Sequence, residues 1–170
     1  MEELHQCLPA ELEQVMNRYG TTVYRLAYAQ TRSASDADDI YQEVFLRYFR
    51  KRPYFESEEH RKAWLIRVCI NVSRSLLTSS WWRNTVPLDE RIPLPEQELQ
   101  DLSDALDQLR RKDRELLHLF YYEELSTREM ARILGRKEST VRTQLTRARA
   151  RLGEIMKGAS CYEGSLSRIK

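Results

Sequence analysis

Side chains that can hydrogen-bond to nucleic acid cluster near the C-terminal end of the sequence. They are Arg136, Lys137, Ser139, Thr140, Arg142, Thr143, Thr146, Arg147 and Arg149. Arginine and threonine near the start of a helix can reach base edges in the major groove, while flanking arginine and lysine neutralise phosphates. Backbone N–H groups at Ser139 and Thr140 would add a phosphate contact at the helix N-terminus. The predicted chemistry is recognition of DNA, not catalysis.

The elements that would carry this cluster have the spacing of a helix-turn-helix. Ser126 and Glu129 form a capping box that opens a short helix, and Gly135 is a natural C-terminal cap. A longer helix then begins at Glu138 or Ser139. Its predicted inward stripe is Val141, Leu145, Ala148 and Leu152. The alternative is a basic amphipathic helix in an ordinary bundle, with its arginines in solvent.

A second set of polar residues lies near the N-terminal end of the sequence. It consists of Asp38, Asp39, Gln42, Glu43 and Leu46. Four of these, from Asp39 to Leu46, fall on one stripe of a helix. Such a face suits an arginine-rich partner helix. The alternative is that the aspartates only cap the helix dipole while Gln42 and Glu43 are solvated.

A third set combines aromatic and basic side chains. It consists of Tyr54, Phe55, Arg61, Arg67, Asn71 and Arg74. Aromatic stacking together with phosphate and base-edge contacts is what capture of single-stranded nucleic acid requires. The alternative is that Tyr54, Phe55 and Trp64 plug the hydrophobic core, and for Trp64 we prefer this interpretation.

Helical periodicity dominates the first half of the chain. We predict a helix over residues 8–31, broken near Tyr19 and Gly20. The next helix should begin at an N-cap, Ser35, and run to about Arg50, before Pro53. After a polar loop over residues 52–59, a long helix should run from about His60 to Ser79. Its predicted core stripe is Leu65, Val68, Cys69, Val72 and Leu76.

Three prolines mark the boundary between two domains. Pro87, Pro93 and Pro95 interrupt the helical pattern among charged residues, which is typical of a linker. Helices then resume over residues 100–110 and 112–122. We predict an all-α fold with two small helical domains joined by a flexible, proline-containing linker. The predicted ranges are 8–82 for the first domain, 83–99 for the linker, 100–157 for the helix-turn-helix domain and 158–170 for a frayed tail.

Charge alternates along the chain in the same pattern. The net charge is −3 over residues 1–50, +4 over 51–84, −6 over 85–124, +6 over 125–157 and +1 over 158–170, although the whole chain carries only +2. The two basic blocks coincide with the two candidate nucleic-acid sets, and basic blocks suit phosphate backbones.

Other classes of protein are disfavoured. No apolar run approaches the roughly 20 residues of a membrane span, and the acidic start Met1–Glu3 is unlike a signal peptide. The three cysteines show no metal-ligand or disulfide pattern, so we expect no cofactor and no metal. The three histidines are scattered, and no catalytic motif is present, so we expect no enzyme and no small-molecule substrate.

Motifs of two regions, in the right order, resemble the extracytoplasmic-function sigma factors, which belong to the sigma-70 family. Residues 36–46 are similar to the D-A-E-D-x-x-Q-E-v-F helix of region two, and residues 62–71 to its a-W-L-x-R-I-a-x-N helix. Residues 140–149 are close to T-V-k-S-r-l-x-R-A-R in region four. The chain departs from the family at Ser75, where an acidic residue is usual, and in lacking a basic pair soon after. The resemblance covers about residues 8–155.

The resemblance implies a promoter-reading subunit of RNA polymerase. A cytoplasmic location is expected separately, because the sequence has neither an apolar run long enough to span a membrane nor a start like a signal peptide. The first domain would bind the clamp helices of the largest subunit with residues 38–46, and would read and open the minus-ten element. The second would bind the beta flap and read the minus-thirty-five element. An anti-sigma factor is an implied partner besides core polymerase and promoter DNA, and membrane insertion is not expected. The competing interpretation is a stand-alone helix-turn-helix regulator, which would bind duplex DNA without polymerase.

Overall fold

The computed structural model describes residues 10–79 and 97–166, with side chains over residues 10–79 and 102–158. These residues form seven helices and no strand, which confirms the all-α prediction. In chain order they are α1 (Ala10–Thr31), α2 (Ala34–Lys51), α3 (Glu58–Thr78), α4 (Gln97–Gln108), α5 (Arg111–Tyr121), α6 (Thr127–Leu134) and α7 (Glu138–Leu166). They divide into two compact units, with the boundary between residues 89 and 90.

The first domain is a three-helix unit in which α1 packs against both α2 and α3. Apolar residues at helical spacing meet in its centre and become inaccessible to water, which is the main stabilising contribution to such a fold. Among its larger aliphatic side chains, the most deeply buried are Val23, Leu26, Ile40, Val44, Leu65 and Ile66.

Helix α1 is continuous through Tyr19 and Gly20, so the predicted break is wrong. Glycine serves close packing at this position instead of a kink. A Cβ atom on Gly20 would lie 3.0 Å from the hydroxyl oxygen of Tyr41 in α2. The missing side chain therefore lets the two helices approach, and glycine's usual cost within a helix is offset by this contact.

The start of α2 also differs from the prediction. The N-cap is Ser33, whose hydroxyl accepts a hydrogen bond from the backbone N–H of Asp36. Ser35 lies inside the first turn, and Asp36 is the only acidic residue of that turn. Both serines are acceptable N-cap residues, so only the backbone conformation decides between them. At the other end Arg52 adopts a left-handed conformation with φ of 42°, immediately before Pro53.

Helix α3 begins at Glu58, two residues earlier than predicted, because the hydroxyl of Ser57 caps the backbone N–H of His60. The predicted core stripe is buried at Leu65, Cys69 and Val72, whereas Val68 and Leu76 are half-buried at its edge.

The second domain packs α4, α5 and α6 against α7. Its core includes Leu109, Leu116, Leu119, Met130, Val141 and Leu145. The capping box of Ser126 and Glu129 is confirmed by bonds in both directions, and Gly135 ends α6 in a left-handed conformation with φ of 63°. The short helix, the turn at Gly135 and the following helix form the predicted helix-turn-helix.

The ends of this domain extend further than predicted. Helix α4 begins at Gln97, within the range expected for the linker, and α7 continues to Leu166, so the segment expected to be frayed after Lys157 is helical that far. The remaining linker residues, 83–96, lie outside the described residues, as do Trp81, Trp82 and Cys7. Across the described part of the chain, no helix combines the length and apolar character needed to cross a membrane.

Candidate nucleic-acid and protein interfaces

The predicted DNA-reading side chains of the second domain lie on the solvent side of α7 and the preceding turn. Arg136 is half-buried, and the other eight are exposed. The opposite side of the helix buries Val141, Leu145 and Ala148 in the core. One helix therefore presents a basic, hydroxyl-rich face while its apolar stripe holds it in place, as a recognition helix requires.

Arg142 is held by a carboxylate that the sequence analysis did not single out. Glu138 Oε1 accepts a hydrogen bond from Arg142 Nη2 at 2.9 Å and another from the hydroxyl of Thr127 at 2.9 Å. The hydrogen bond from Thr127, followed by Arg142, lowers the pKa of the Glu138 carboxyl below its ordinary value. Glu138 thus connects the start of α6 to the start of α7. The spacing of four residues to Arg142 was a usable signal, whereas the bond to Thr127 depends on the turn.

Other members of the set also have partners within the domain. The guanidinium of Arg136 donates to Gln144 Oε1 at 3.0 Å. Arg149 lies over the ring of Phe120, 4.5 Å from its centroid, and 5.4 Å from that of Tyr121. The hydroxyls of Thr143 and Thr146 each donate to a backbone carbonyl one turn earlier, at 3.0 Å.

The acidic and amide set of the first domain shares one side of α2. Asp38, Asp39, Gln42 and Leu46 are exposed, and the Leu46 residue retains 40 % of its accessible surface. Glu43 is half-buried and forms an ion pair of 2.7 Å with Arg47. An exposed leucine beside carboxylates and an amide combines apolar contact with charge complementarity, which is how protein interfaces are commonly composed.

The aromatic and basic set is divided between two environments. Tyr54 is 86 % exposed, whereas Phe55 is half-buried. On α3, Arg67 and Asn71 are exposed one turn apart, and Arg74 is half-buried one turn further on. These three side chains follow one another along the helix, and they combine phosphate-binding and base-reading groups.

Trp64 is half-buried and packs among aromatic rings, so it lies at the edge of the core for which it was predicted. Its centroid lies 5.9 Å from those of Tyr48 and Phe55, in edge-to-face geometry in both cases. Such pairs stabilise a fold by about 1 kcal/mol beyond the area they bury.

Two small helical domains, of which the second carries a basic helix-turn-helix, are characteristic of DNA-binding transcription proteins. Comparison with known proteins identifies the family within this class. The family profile described as "Sigma-70 region 2" matches residues 15–83, and that described as "Sigma-70, region 4" matches residues 99–152.

Individual relatives agree with the family profiles. The chain is 30 % identical to the RNA polymerase sigma-E factor of Streptomyces coelicolor over 158 residues, which cover 85 % of each chain. It is 28 % identical over 149 residues to the extracytoplasmic-function sigma factor SigM of Mycobacterium tuberculosis, covering 85 % of this chain and 76 % of the relative. The chain therefore belongs to the extracytoplasmic-function sigma factors of the sigma-70 family.

Solved structures have the same fold. The sigma factor RpoE in complex with the anti-sigma factor NepR from Bartonella quintana matches with a TM-score of 0.74 at 24 % identity, covering 88 % of this chain and 98 % of that one. CnrH in complex with the cytosolic domain of CnrY matches with a TM-score of 0.66, covering 86 % and 88 %.

Family membership gives the general function. The protein is a sigma factor for promoter-specific initiation of transcription, and the stand-alone regulator is not favoured. Sigma factors of this family are not catalysts.

Proposed function

We propose that this chain binds core RNA polymerase with the exposed face of α2 and reads promoter DNA with two other surfaces. Asp38, Asp39, Gln42, Glu43 and Leu46 would contact the clamp helices of the largest subunit. The observation that supports this proposal best is the shared exposure of four of these five residues on a helix whose other side is core.

Promoter reading would be divided between the domains. The face of α7 and the turn before it would read the minus-thirty-five element. Arg142 and Thr143 would be directed at bases, and Arg147 and the turn residue Lys137 at phosphates. Tyr54, Arg67, Asn71 and Arg74 would contact the minus-ten element. Phe55 and Arg61 also belong to the candidate set, but their surroundings favour a role in holding the loop over direct contact with DNA.

Protein partners follow from the same assignment. Two relatives of this fold were solved bound to NepR and to CnrY, and an anti-sigma factor is accordingly a proposed partner here. The beta flap is the proposed partner of the second domain. The chain would act without catalysing a reaction, and in the cytoplasm, because bacterial core polymerase and the chromosome are found there.

The first test is binding of the purified chain to bacterial core polymerase, followed by run-off transcription on genomic fragments. Tight binding with defined start sites is the expected result. Binding to duplex DNA without any association with polymerase would instead favour the stand-alone regulator.

The α2 surface can be tested by the double substitution Asp39→Ala and Gln42→Ala. We expect core binding to weaken by at least about tenfold, because removing a charged interface partner commonly costs 2 kcal/mol or more, while the helical content remains unchanged. The matched control is Glu13→Ala with Gln14→Ala, an exposed acid and amide on α1. Core affinity that is equal in the two double variants would refute the assignment.

A further inference from the structure

The two neighbouring aromatic residues of the loop between α2 and α3 have opposite surroundings. Tyr54 projects into solvent, whereas Phe55 packs into the domain. The ring of Phe55 is stacked on Tyr48 with centroids 6.1 Å apart, and it meets His60 edge-on at 5.4 Å. Packing against several rings restricts the half-buried side chain to few positions. Phe55 therefore anchors the loop, and Tyr54 is the more accessible of the two rings to a nucleic acid.

Arg61 is engaged on the same anchor. Its guanidinium lies 5.4 Å from the centroid of Phe55, its Nε is 3.5 Å from Glu58 Oε1, and its Nη2 is 3.9 Å from Glu11 Oε1. The side chain is only 22 % exposed. Two carboxylates within 4.0 Å and an aromatic face thus lie beside the charge that would otherwise be offered to a phosphate, while Nε itself forms no hydrogen bond with any described residue.

Glu58 connects this anchor to α1. As the first residue of α3, it accepts a hydrogen bond of 2.6 Å from the hydroxyl of Tyr19, and it forms an ion pair of 3.2 Å with Arg18. The Tyr19 bond, together with the charges of Arg61 and Arg18, lowers the pKa of the Glu58 carboxyl below its ordinary value.

A second bond between helices completes the arrangement. The hydroxyl of Tyr48, on α2, donates to Glu11 Oε1 on α1 at 3.3 Å. Helices α2 and α3 therefore contact the loop residue Phe55 directly. Helix α1 supports them through its contacts with Tyr48, Glu58 and Arg61. We call this group, consisting of Glu11, Tyr19, Tyr48, Phe55, Glu58 and Arg61, the loop clamp.

We propose that Arg61 and Glu58 are positioning residues that, through Phe55, hold Tyr54 where it stacks on an unpaired base of the promoter. This inference deepens the proposed minus-ten function and rests on it. Arg61 then acts through Tyr54, without touching DNA itself, whereas Arg67 contacts a phosphate directly. The two arginines lie six residues apart on the same helix. Even so, substituting one or the other should change different quantities: the effect of removing the base for Arg61, and the salt dependence of binding for Arg67.

The test uses holoenzyme assembled from the full chain and core polymerase. The probe is a fluorescent single-stranded oligonucleotide with the non-template minus-ten sequence of a promoter mapped by run-off transcription. A second set of probes lacks one base at each position in turn. The measured quantities are the ratio of affinities for the intact and abasic probes, and the slope of affinity against salt concentration.

We expect Arg61→Gln to reduce affinity for the intact probe by about tenfold, because Tyr54 would no longer be held for stacking and one stacked base contributes about 1–3 kcal/mol. It should bring the intact-to-abasic ratio at the captured position close to one, as Tyr54→Ala should also do, with an unchanged salt slope. The variant that combines Arg61→Gln with Tyr54→Ala should have the same ratio as Tyr54→Ala alone. Arg67→Gln should instead make the slope shallower by about 0.7, the value for one phosphate of a single strand, and keep the ratio.

Controls separate positioning from damage to the fold. Glu59→Gln, an exposed neighbour of Glu58, should behave as the unmodified chain. Tyr19→Phe removes only the hydroxyl that holds Glu58, and it should lower the ratio even if Glu58→Gln fails to fold. Core affinity and helical content should be unchanged in Arg61→Gln.

Three results would overturn the inference in distinguishable ways. A shallower salt slope in Arg61→Gln would show that Arg61 contacts a phosphate itself. An unchanged ratio in Arg61→Gln, with a clear ratio in the unmodified chain, would reject the clamp but retain the minus-ten function. If the unmodified chain bound the intact probe and every abasic probe equally, base capture by this domain would be rejected, and the clamp with it.

Discussion

The two candidate DNA-reading regions of this chain are constructed differently. In the second domain, the side chains project from one helix face, and their positions follow from helical geometry once the apolar stripe of α7 is buried. In the first domain, side chains of α2 and α3 contact the loop between them, and α1 supports those side chains. A duplex groove accepts a preformed helix, whereas an unpaired base must be met by a ring held in place. The difference implies that the first region is more sensitive to residues that do not touch DNA.

The largest expected effect separates the two aromatic residues of the loop. Phe55→Ala should reduce the free energy of unfolding of the first domain by about 2 kcal/mol, because a packed ring is lost. Tyr54→Ala should change it by less than about 0.5 kcal/mol, as exposed substitutions usually do. Urea unfolding of the full chain, followed by circular dichroism, measures both. Equal effects would mean that the loop is not anchored by Phe55.

In the recognition helix, substitutions should weaken DNA binding more than they lower stability. Arg142→Ala should weaken holoenzyme binding to the upstream element by about tenfold, within the range for one base-reading arginine, and should leave stability almost unchanged because the side chain is 69 % exposed. Arg149→Ala should also weaken binding and its salt dependence. In addition it should cost about 0.5 kcal/mol of stability, because its contact with Phe120 is lost.

These two variants are compared with Lys157→Ala, an exposed position near the end of the described side chains. Binding is measured on duplex promoter fragments at several salt concentrations, and stability by thermal unfolding. Unchanged promoter selection in both arginine variants would refute the assignment of α7 as the recognition helix.

The smallest expected effect compares the carboxylates that brace the two regions. Glu58 and Glu138 both have a pKa below the ordinary glutamate value of 4.5. Because the folded pKa is the lower one, each contributes stability that is fully present above about pH 4.5 and is lost as the pH falls through the folded value. Solvent screens both side chains, so the contributions should be modest.

Thermal unfolding between pH 3 and 6 measures this dependence. Glu58→Gln should reduce it for the first domain and Glu138→Gln for the second, while Glu59→Gln should leave it unchanged. A dependence that persists in both variants would assign it to other carboxylates.

Local patterns in the sequence predicted features that depend on few neighbours. The capping box at Ser126 and the left-handed Gly135 were predicted correctly, since each is determined by a short segment with specific backbone requirements. Periodicity predicted the buried stripes around Leu65 and Val141 for the same reason. A local pattern could not decide between similar residues, and the N-cap of α2 is Ser33 in place of the predicted Ser35. The predicted break at Gly20 was wrong because the glycine makes room for Tyr41, which belongs to another helix.

The sequence by itself determined the helical class, the division into two domains of alternating charge, the helix-turn-helix and the resemblance to sigma factors. Only the tertiary structure decided which members of each candidate set are accessible. It separated Tyr54 from Phe55, and Arg61 from Arg67, although the residue types within each pair are similar. The physical reason is that burial and ion pairing depend on contacts between residues distant in sequence, such as Tyr19 with Glu58. A local sequence pattern predicts only contacts between residues a few positions apart.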